Sequence, residues 1–263
     1  SGMADREFST VGYERRNNPR LRIFDRDEFI QAKIAEHHYQ PPYFRLMERL
    51  NLEGADAAPR IMRPPRMGLQ QITKSGADHL IDVREPLGYA GGHLPGAMCL
   101  PVGMIPAFAG WFLGEGDRIA LIASEEGQLA QAMAHLVRIG LDNVVGGYVG
   151  VVPAAAQGKA MRSIPMIGTE EVARRLDQDS GEWTLLDVRD ADERQEASID
   201  GSGHIYVGEL NTRWEELDRD RHYTLMCASG MRASVAAGWL ASKGFEHLDI
   251  YLGSMGAWTN ASG

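Results

Sequence analysis

"LIDVREP" at residues 80–86 recurs further along the chain as "LLDVRDA" at residues 185–191. Two longer blocks repeat in the same order and at nearly the same spacing, the second of them after a one-residue deletion: "GGHLPGAMCLPVGMI" (91–105) with "EASIDGSGHIYVGEL" (196–210), and "IALIASEEGQLAQAMAHLVRIGLDNV" (119–144) with "YTLMCASGMRASVAAGWLASKGFEHL" (223–248). Three blocks in one order predict an internal duplication, so that the chain builds one fold twice.

Each copy has the pattern of an α/β fold. Residues 119–122 and 223–226 are short apolar runs of the kind that form buried strands. After each run, apolar residues follow at helical spacing and end at a glycine, which is a helix C-terminal signal. A further apolar run completes a β-α-β unit in both copies. We therefore expect two parallel sheets, each covered by helices.

These blocks divide the chain into three parts. Copy one is predicted to span residues 67–152 and copy two residues 163–263. An Ala-, Gly- and Pro-rich linker over residues 151–165 connects them. Residues 4–66 resemble neither copy and form a separate N-terminal segment with a Pro-rich connector.

The composition excludes several classes of protein. The formal net charge is −9, from 27 basic and 36 acidic residues, which argues against nucleic acid as the main partner. Two cysteines form no disulfide framework and favour a reducing, cytoplasmic location. No CxxC or HExxH motif is present, so no protein-built metal site is expected. The uncharged stretch 91–114 is interrupted by prolines and glycines, which argues against a membrane span.

The loop in "LMCASGMRAS" (225–234) is the strongest candidate site. It places Cys227 between a predicted strand and a predicted helix, where backbone N–H groups lack intrahelical partners and stabilise an anion. Small residues (Ala228, Ser229, Gly230) allow the backbone to curl around the sulfur, and Met231 and Arg232 begin the helix. Arg232 could add charge-assisted hydrogen bonds to an anionic ligand.

The D-V-R repeat, the G-H-x-P-G-A block and the C-x-x-G-x-R loop together resemble the rhodanese family over residues 68–150 and 165–260. The resemblance implies two rhodanese-like domains, each a parallel, mostly five-stranded sheet flanked by helices. It implies a sulfurtransferase that uses no cofactor beyond a persulfide on Cys227. Residues 228–232 would bind a small anionic donor, thiosulfate or a thiol persulfide, and a thiol or a cyanide-like molecule would accept the sulfur.

The N-terminal segment carries a second resemblance. "FSTVGYERRNNPRLRIFDRDEFI" and "PPYFRLMERLNLEG" are similar to the end of the metallo-β-lactamase-like domain in persulfide-dioxygenase–rhodanese fusions. The histidine-rich metal motifs of that domain are absent from this sequence. The chain thus resembles either the C-terminal part of such a fusion or a descendant that lost its metal domain, with residues 4–58 as a remnant packed on the tandem.

Alternatives remain for several of these residues. A phosphatase loop also combines Cys and Arg, but it needs five intervening residues where this chain has four. Cys227 could be an inert buried thiol. Asp187 and Arg189 could border the pocket, or form an architectural ion pair, which their recurrence in copy one favours. Cys99 follows no comparable loop and is interpreted as a core residue.

Copy one lacks the residues on which the chemistry depends. Ala123 stands at the position of Cys227, and Gln128 at that of Arg232, while Glu125 and Glu126 would repel an anion. Copy one is therefore predicted to be inactive. A second hypothesis is that the whole chain is a non-catalytic interaction module for a metallo-β-lactamase-like persulfide dioxygenase domain.

Overall fold

A computed structural model describes residues 8–35, 39–54, 57, 63–178 and 181–262. The chain divides into two compact units, residues 1–40 and 41–263. In the first unit, helices α1 (Val11–Asn17) and α2 (Arg26–Ile34) bury no residue. The side chains of Thr10 and Asp25 cap their first turns.

The second unit begins with α3 (Tyr43–Glu53), which packs on copy one. Gly110 and Gly140 of copy one leave room for it, because a Cβ atom at either glycine would meet side chains of α3 at 3.0 Å or less. The N-terminal segment predicted over residues 4–66 is therefore divided, and its part from Pro41 onward belongs to the unit that contains both copies.

Copy one alternates strands and helices. Its elements are α4 (Leu69–Thr73), β1 (His79–Asp82), α5 (Pro86–Gly91), β2 (Ala97–Cys99), α6 (Ile105–Phe112), β3 (Ile119–Ala123), α7 (Glu126–Arg138), β4 (Val144–Val149) and α8 (Val151–Ala156). The described strands form a parallel sheet in the order β2-β1-β3-β4. This sheet has one strand fewer than expected. Its fifth position is reduced to a single parallel bridge between Arg66 and Gly147.

Copy two repeats the arrangement with its edge strand complete. Its elements are β5 (Met166–Ile167), α9 (Thr169–Gln178), β6 (Trp183–Asp187), α10 (Ala191–Glu196), β7 (Gly203–His204), α11 (Leu210–Arg213), β8 (His222–Met226), α12 (Met231–Ser242), β9 (Leu248–Tyr251) and α13 (Ser254–Ser262). The five parallel strands follow the order β5-β9-β8-β6-β7. The α/β class with parallel, helix-flanked sheets in two domains is confirmed.

The two copies share a close interface through α12. This helix packs on β8 and β9 of its own sheet and on β2 of copy one, and every residue from Ala233 to Leu240 is buried. Gly238 makes the approach possible: a Cβ atom there would lie 2.4 Å from the backbone nitrogen of Cys99. The ring of Trp239 packs on Phe112 of copy one, with 4.8 Å between ring centroids.

The linker is fixed to both copies. Its first half is helix α8. Arg162 then pairs with His93 of copy one through two backbone hydrogen bonds of 2.9 Å, and Ile164 donates to the carbonyl of Ala90. The backbone N–H of Ile250 in β9 donates to Pro165. Among the described helices, none is both long and apolar enough to cross a membrane.

Candidate active site

The loop after β8 curls around the sulfur of Cys227. Strand β8 ends at Met226, and the next helix begins at Met231. Gly230 takes a left-handed backbone conformation, with φ of 106°, and its N–H donates to Cys227 Sγ at 3.1 Å. An L side chain at that φ is strained, which explains the need for glycine. The sulfur thus receives a backbone donor at the entrance to α12, as the sequence predicts.

The thiol lies just beneath the protein surface. Cys227 is 1% exposed, whereas its neighbours Ala228 and Ser229 are exposed and carry no charge. Small, uncharged side chains therefore lie between the sulfur and the surface on this side of the loop. The first N–H groups of α12 lie at the same end of the loop, where a helix has donors without intrahelical acceptors.

A second element, the start of α13, braces the loop from the other side. The N–H of Cys227 donates to Ser254 Oγ at 3.1 Å, and the Ser254 hydroxyl donates to the carbonyl of Tyr251 at 2.8 Å. The N–H groups of Met255 and Gly256 donate to the carbonyls of Cys227 and Ala228. Ser254 has a φ of 49°, the one positive φ among the described non-glycine residues. Sequence reasoning missed this serine, although it directly follows a glycine at a strand end.

Arg232 is held by a carboxylate that sequence reasoning also missed. Its Nη1 and Nη2 donate to the two carboxylate oxygens of Glu193 in α10, at 2.5 and 2.7 Å. Burial acts to lower the pKa of Arg232, but hydrogen bonds and charge from Glu193 outweigh it, and the net shift is upward. Hydrogen bonds from Arg232 lower the pKa of Glu193 to about 2. Arg232 is the second residue of α12, five positions after Cys227 in the same strand–loop–helix unit.

Asp187 and Arg189 form a buried ion pair at the end of β6. Arg189 donates through Nε and Nη2 to the Asp187 carboxylate at 2.7–3.2 Å, and it also donates to the carbonyls of Glu193 and Ala197. Asp82 and Arg84 repeat this pair in copy one. These contacts favour the architectural interpretation. The pair fixes the end of β6 beside Met226, one residue before the cysteine.

In the corresponding loop of copy one, a side chain from the following helix occupies a backbone N–H donor. The N–H of Ser124 donates to Gln128 Oε1 at 2.8 Å, so the glutamine at the position of Arg232 occupies a loop donor. Ala123 ends β3 where Cys227 follows β8, and Glu125 and Glu126 are exposed. Neither a nucleophile nor a free anion-binding loop is present in this part of copy one.

Cys99 is a core residue in the structure. It is fully buried at the end of β2, and burial raises its pKa well above the usual value. Its backbone and Cβ face Gly238 of α12. The described residues contain no group of three or more His, Cys, Asp or Glu side chains arranged to hold a metal ion.

Comparisons with known proteins find similarity to rhodanese-like domains and to sulfurtransferases. A family model described as "Rhodanese-like domain" matches residues 68–152 and 169–261. "Putative sulfurtransferase YtwF" of Bacillus subtilis is 34% identical over 95 residues, which cover 36% of this chain and 90% of the relative. "Putative sulfur carrier protein YrkF" of the same organism is 34% identical over 97 residues, 37% of this chain. The chain spans about half of the YrkF length, 52%.

Solved structures that are similar to part of this chain include a metallo-beta-lactamase from Staphylococcus aureus subsp. aureus COL. It is 25% identical with a TM-score of 0.46, over 54% of this chain and 40% of that protein. 

Proposed function

The chain belongs to the rhodanese-like family, and we propose that it is a sulfurtransferase whose copy two moves sulfane sulfur through a persulfide on Cys227. The family match and the sulfurtransferase relatives support a sulfur-transfer function. The observation that carries the residue assignment is the loop itself: Cys227 receives the Gly230 N–H at the start of α12, and Arg232 lies in the first turn of that helix.

The reaction has two displacements. In the first, the Cys227 thiolate attacks the outer sulfur of a donor, a thiol persulfide R–S–SH or thiosulfate. The donor's sulfur–sulfur or sulfur–sulfonate bond breaks, and R–S⁻ or sulfite leaves with the bonding electron pair. In the second, a thiolate or cyanide attacks the outer sulfur of the Cys227 persulfide, and the Cys227 thiolate is regenerated. One sulfur atom passes from the donor to the acceptor, so no redox cofactor is needed.

The loop residues have distinct roles in this cycle. The Gly230 N–H and the first amides of α12 stabilise negative charge on the sulfur, both as thiolate and as persulfide. Ala228 and Ser229 leave the approach open, and Ser254 fixes the Cys227 backbone so that the sulfur keeps its position. Copy one supplies no nucleophile and supports α12 from the opposite side.

Mass spectrometry of the intact protein tests the assignment. After treatment with thiosulfate or glutathione persulfide, the wild type should gain the mass of one sulfur atom, and cyanide should remove it. Cys227→Ser should gain none, whereas the control Cys99→Ser should gain it as the wild type does. An unmodified wild type, or a Cys227→Ser protein that is still modified, would refute the proposal.

Association with a metallo-β-lactamase-like domain is a second candidate function. It is favoured by the first unit, in which Phe8, Val11, Phe24 and Ile34 are each more than 70% exposed. Large apolar side chains in this state are typical of surfaces that bind another protein. A separately expressed domain of that class should bind the chain in a pull-down and lose affinity when Phe24 is changed to Ser. Retained binding would remove these residues from the interface.

A further inference from the structure

The cation next to the sulfur loop is already paired with a carboxylate of the protein. Arg232 and Glu193 form a two-point ion pair at 2.5 and 2.7 Å, and their side chains are only 19% and 30% exposed. Residues 227–231 carry no charged side chain. The ion pair therefore supplies the charged groups of the first turn of α12, and two of the five Arg232 N–H donors are already in use.

Glu193 is held in place by its own helix. Its N–H donates to Asp190 Oδ1 at 2.8 Å, and the N–H of Asp190 donates back to Glu193 Oε2 at 3.4 Å, which is a capping box at the start of α10. The other nearby arginines are engaged elsewhere: Arg189 binds Asp187, and Arg194 binds Asp187 and Ser202. The ion pair is thus held in a fixed position next to the loop of residues 227–231.

We propose that Glu193 determines donor specificity, by disfavouring inorganic thiosulfate and favouring persulfides of amino-acid or small-peptide thiols. This inference rests on the proposed sulfur transfer through Cys227. Thiosulfate carries two negative charges and no positive one. If it binds Arg232, it leaves the partly buried Glu193 carboxylate unpaired beside a second anion, which is costly.

An aminothiol persulfide avoids this cost by exchanging partners. Its ammonium group can pair with Glu193 while its anionic sulfur or carboxylate pairs with Arg232, so that each charge remains compensated. Discrimination of this kind depends as much on the repulsive contact with the wrong ligand as on the attractive contact with the right one. Glu193 supplies the repulsion of thiosulfate, and Glu193 and Arg232 together supply the attraction of the aminothiol persulfide.

The test compares Glu193→Gln with the wild type, using thiosulfate and glutathione persulfide as donors and cyanide as the common acceptor. Glutamine at this position keeps the capping box but removes the charge. We expect the KM for thiosulfate to fall on the order of fivefold, the size of a partly exposed ion pair, with little change in kcat. The KM for glutathione persulfide should rise. Glu196→Gln, which removes an exposed charge from the same helix, should leave the preference between donors unchanged.

The outcomes separate this inference from the function on which it rests. If Glu193→Gln changes both donors equally, or if Glu196→Gln shifts the preference as much, Glu193 does not determine specificity. If no donor places sulfur on Cys227 in the wild type, the proposed function itself fails. Glu193→Asp keeps the charge but is one methylene too short for the two-point pair. It should lower the KM for thiosulfate relative to that for glutathione persulfide, by a smaller factor than Glu193→Gln does. This variant decides the question if the glutamine variant does not fold.

Discussion

Gly238 offers a quantitative test of the interface between the copies. In Gly238→Ala, the new Cβ would lie 2.4 Å from the Cys99 nitrogen, 2.5 Å from its Cβ and 2.9 Å from its Cα. Backbone atoms cannot rotate away, so α12 and β2 must separate by about 1 Å to restore ordinary contact distances. Overpacking of this kind costs about 3 kcal/mol, whereas alanine gains ~1 kcal/mol over glycine in a helix. We expect a net loss of about 2 kcal/mol.

Urea unfolding followed by circular dichroism measures this loss. Gly127→Ala in α7 is the matched control, because its Cβ would meet only the Glu125 carboxylate at 3.6 Å, an ordinary contact. Its free energy of unfolding should stay the same or rise by up to ~1 kcal/mol, the gain of alanine over glycine in a helix. Adding Cys99→Ala to Gly238→Ala should not restore stability, since the closest atom belongs to the backbone. If Gly238→Ala were as stable as Gly127→Ala, the close approach of α12 to copy one would be refuted.

Three further predictions concern the loop and a buried histidine. Gly230→Ala should lose about 1–2 kcal/mol of stability from its φ of 106° and should also slow persulfide formation. Gly158→Ala, at a φ of 75° with open space around it, should lose stability without slowing the reaction. Ser254→Ala leaves the buried Cys227 N–H without its acceptor, so it should cost about 1–3 kcal/mol and lower the rate of sulfur loading. Thr259→Ala, at an exposed position of the same helix, should do neither, and equal rates for the two variants would contradict the bracing role. Burial lowers the pKa of His93 below its usual 6.5, so the unfolded chain binds the proton more readily. Stability should therefore decline as the pH falls below about 6.5, and His93→Gln should abolish that part of the decline in thermal melts; an unchanged pH profile would show that another group is responsible.

The repeated blocks were sufficient to predict the fold class because each carries its own local signals. The apolar runs at 119–122 and 223–226 became β3 and β8, each extended by one residue. The reduced edge of copy one was not predicted. Where the edge ends depends on which segment lies beside β4, and no local sequence pattern encodes that pairing.

The site was predictable only where its parts are neighbours in sequence. Cys227, Gly230 and Arg232 lie within one strand–loop–helix unit, and their arrangement follows from local geometry. Ser254 and Glu193 come from elements 27 and 39 residues away in the chain. Their contacts depend on how α13 and α10 pack around β8. The capping box of Asp190 and Glu193 could be read from the sequence, but its ion pair with Arg232 could not.

Helix α12 lies between the two copies, and this position determines where substitutions in copy one are tolerated. In copy one, the residues of the turn after β3 are exposed, so substitutions at Ser124 or Glu125 should be widely tolerated. Strand β2 has no such freedom, because its backbone lies against α12. A protease that cut the linker and released copy two alone would expose a face of alanine, glycine and tryptophan. Copy one thus covers an apolar face of copy two, whatever its own chemistry.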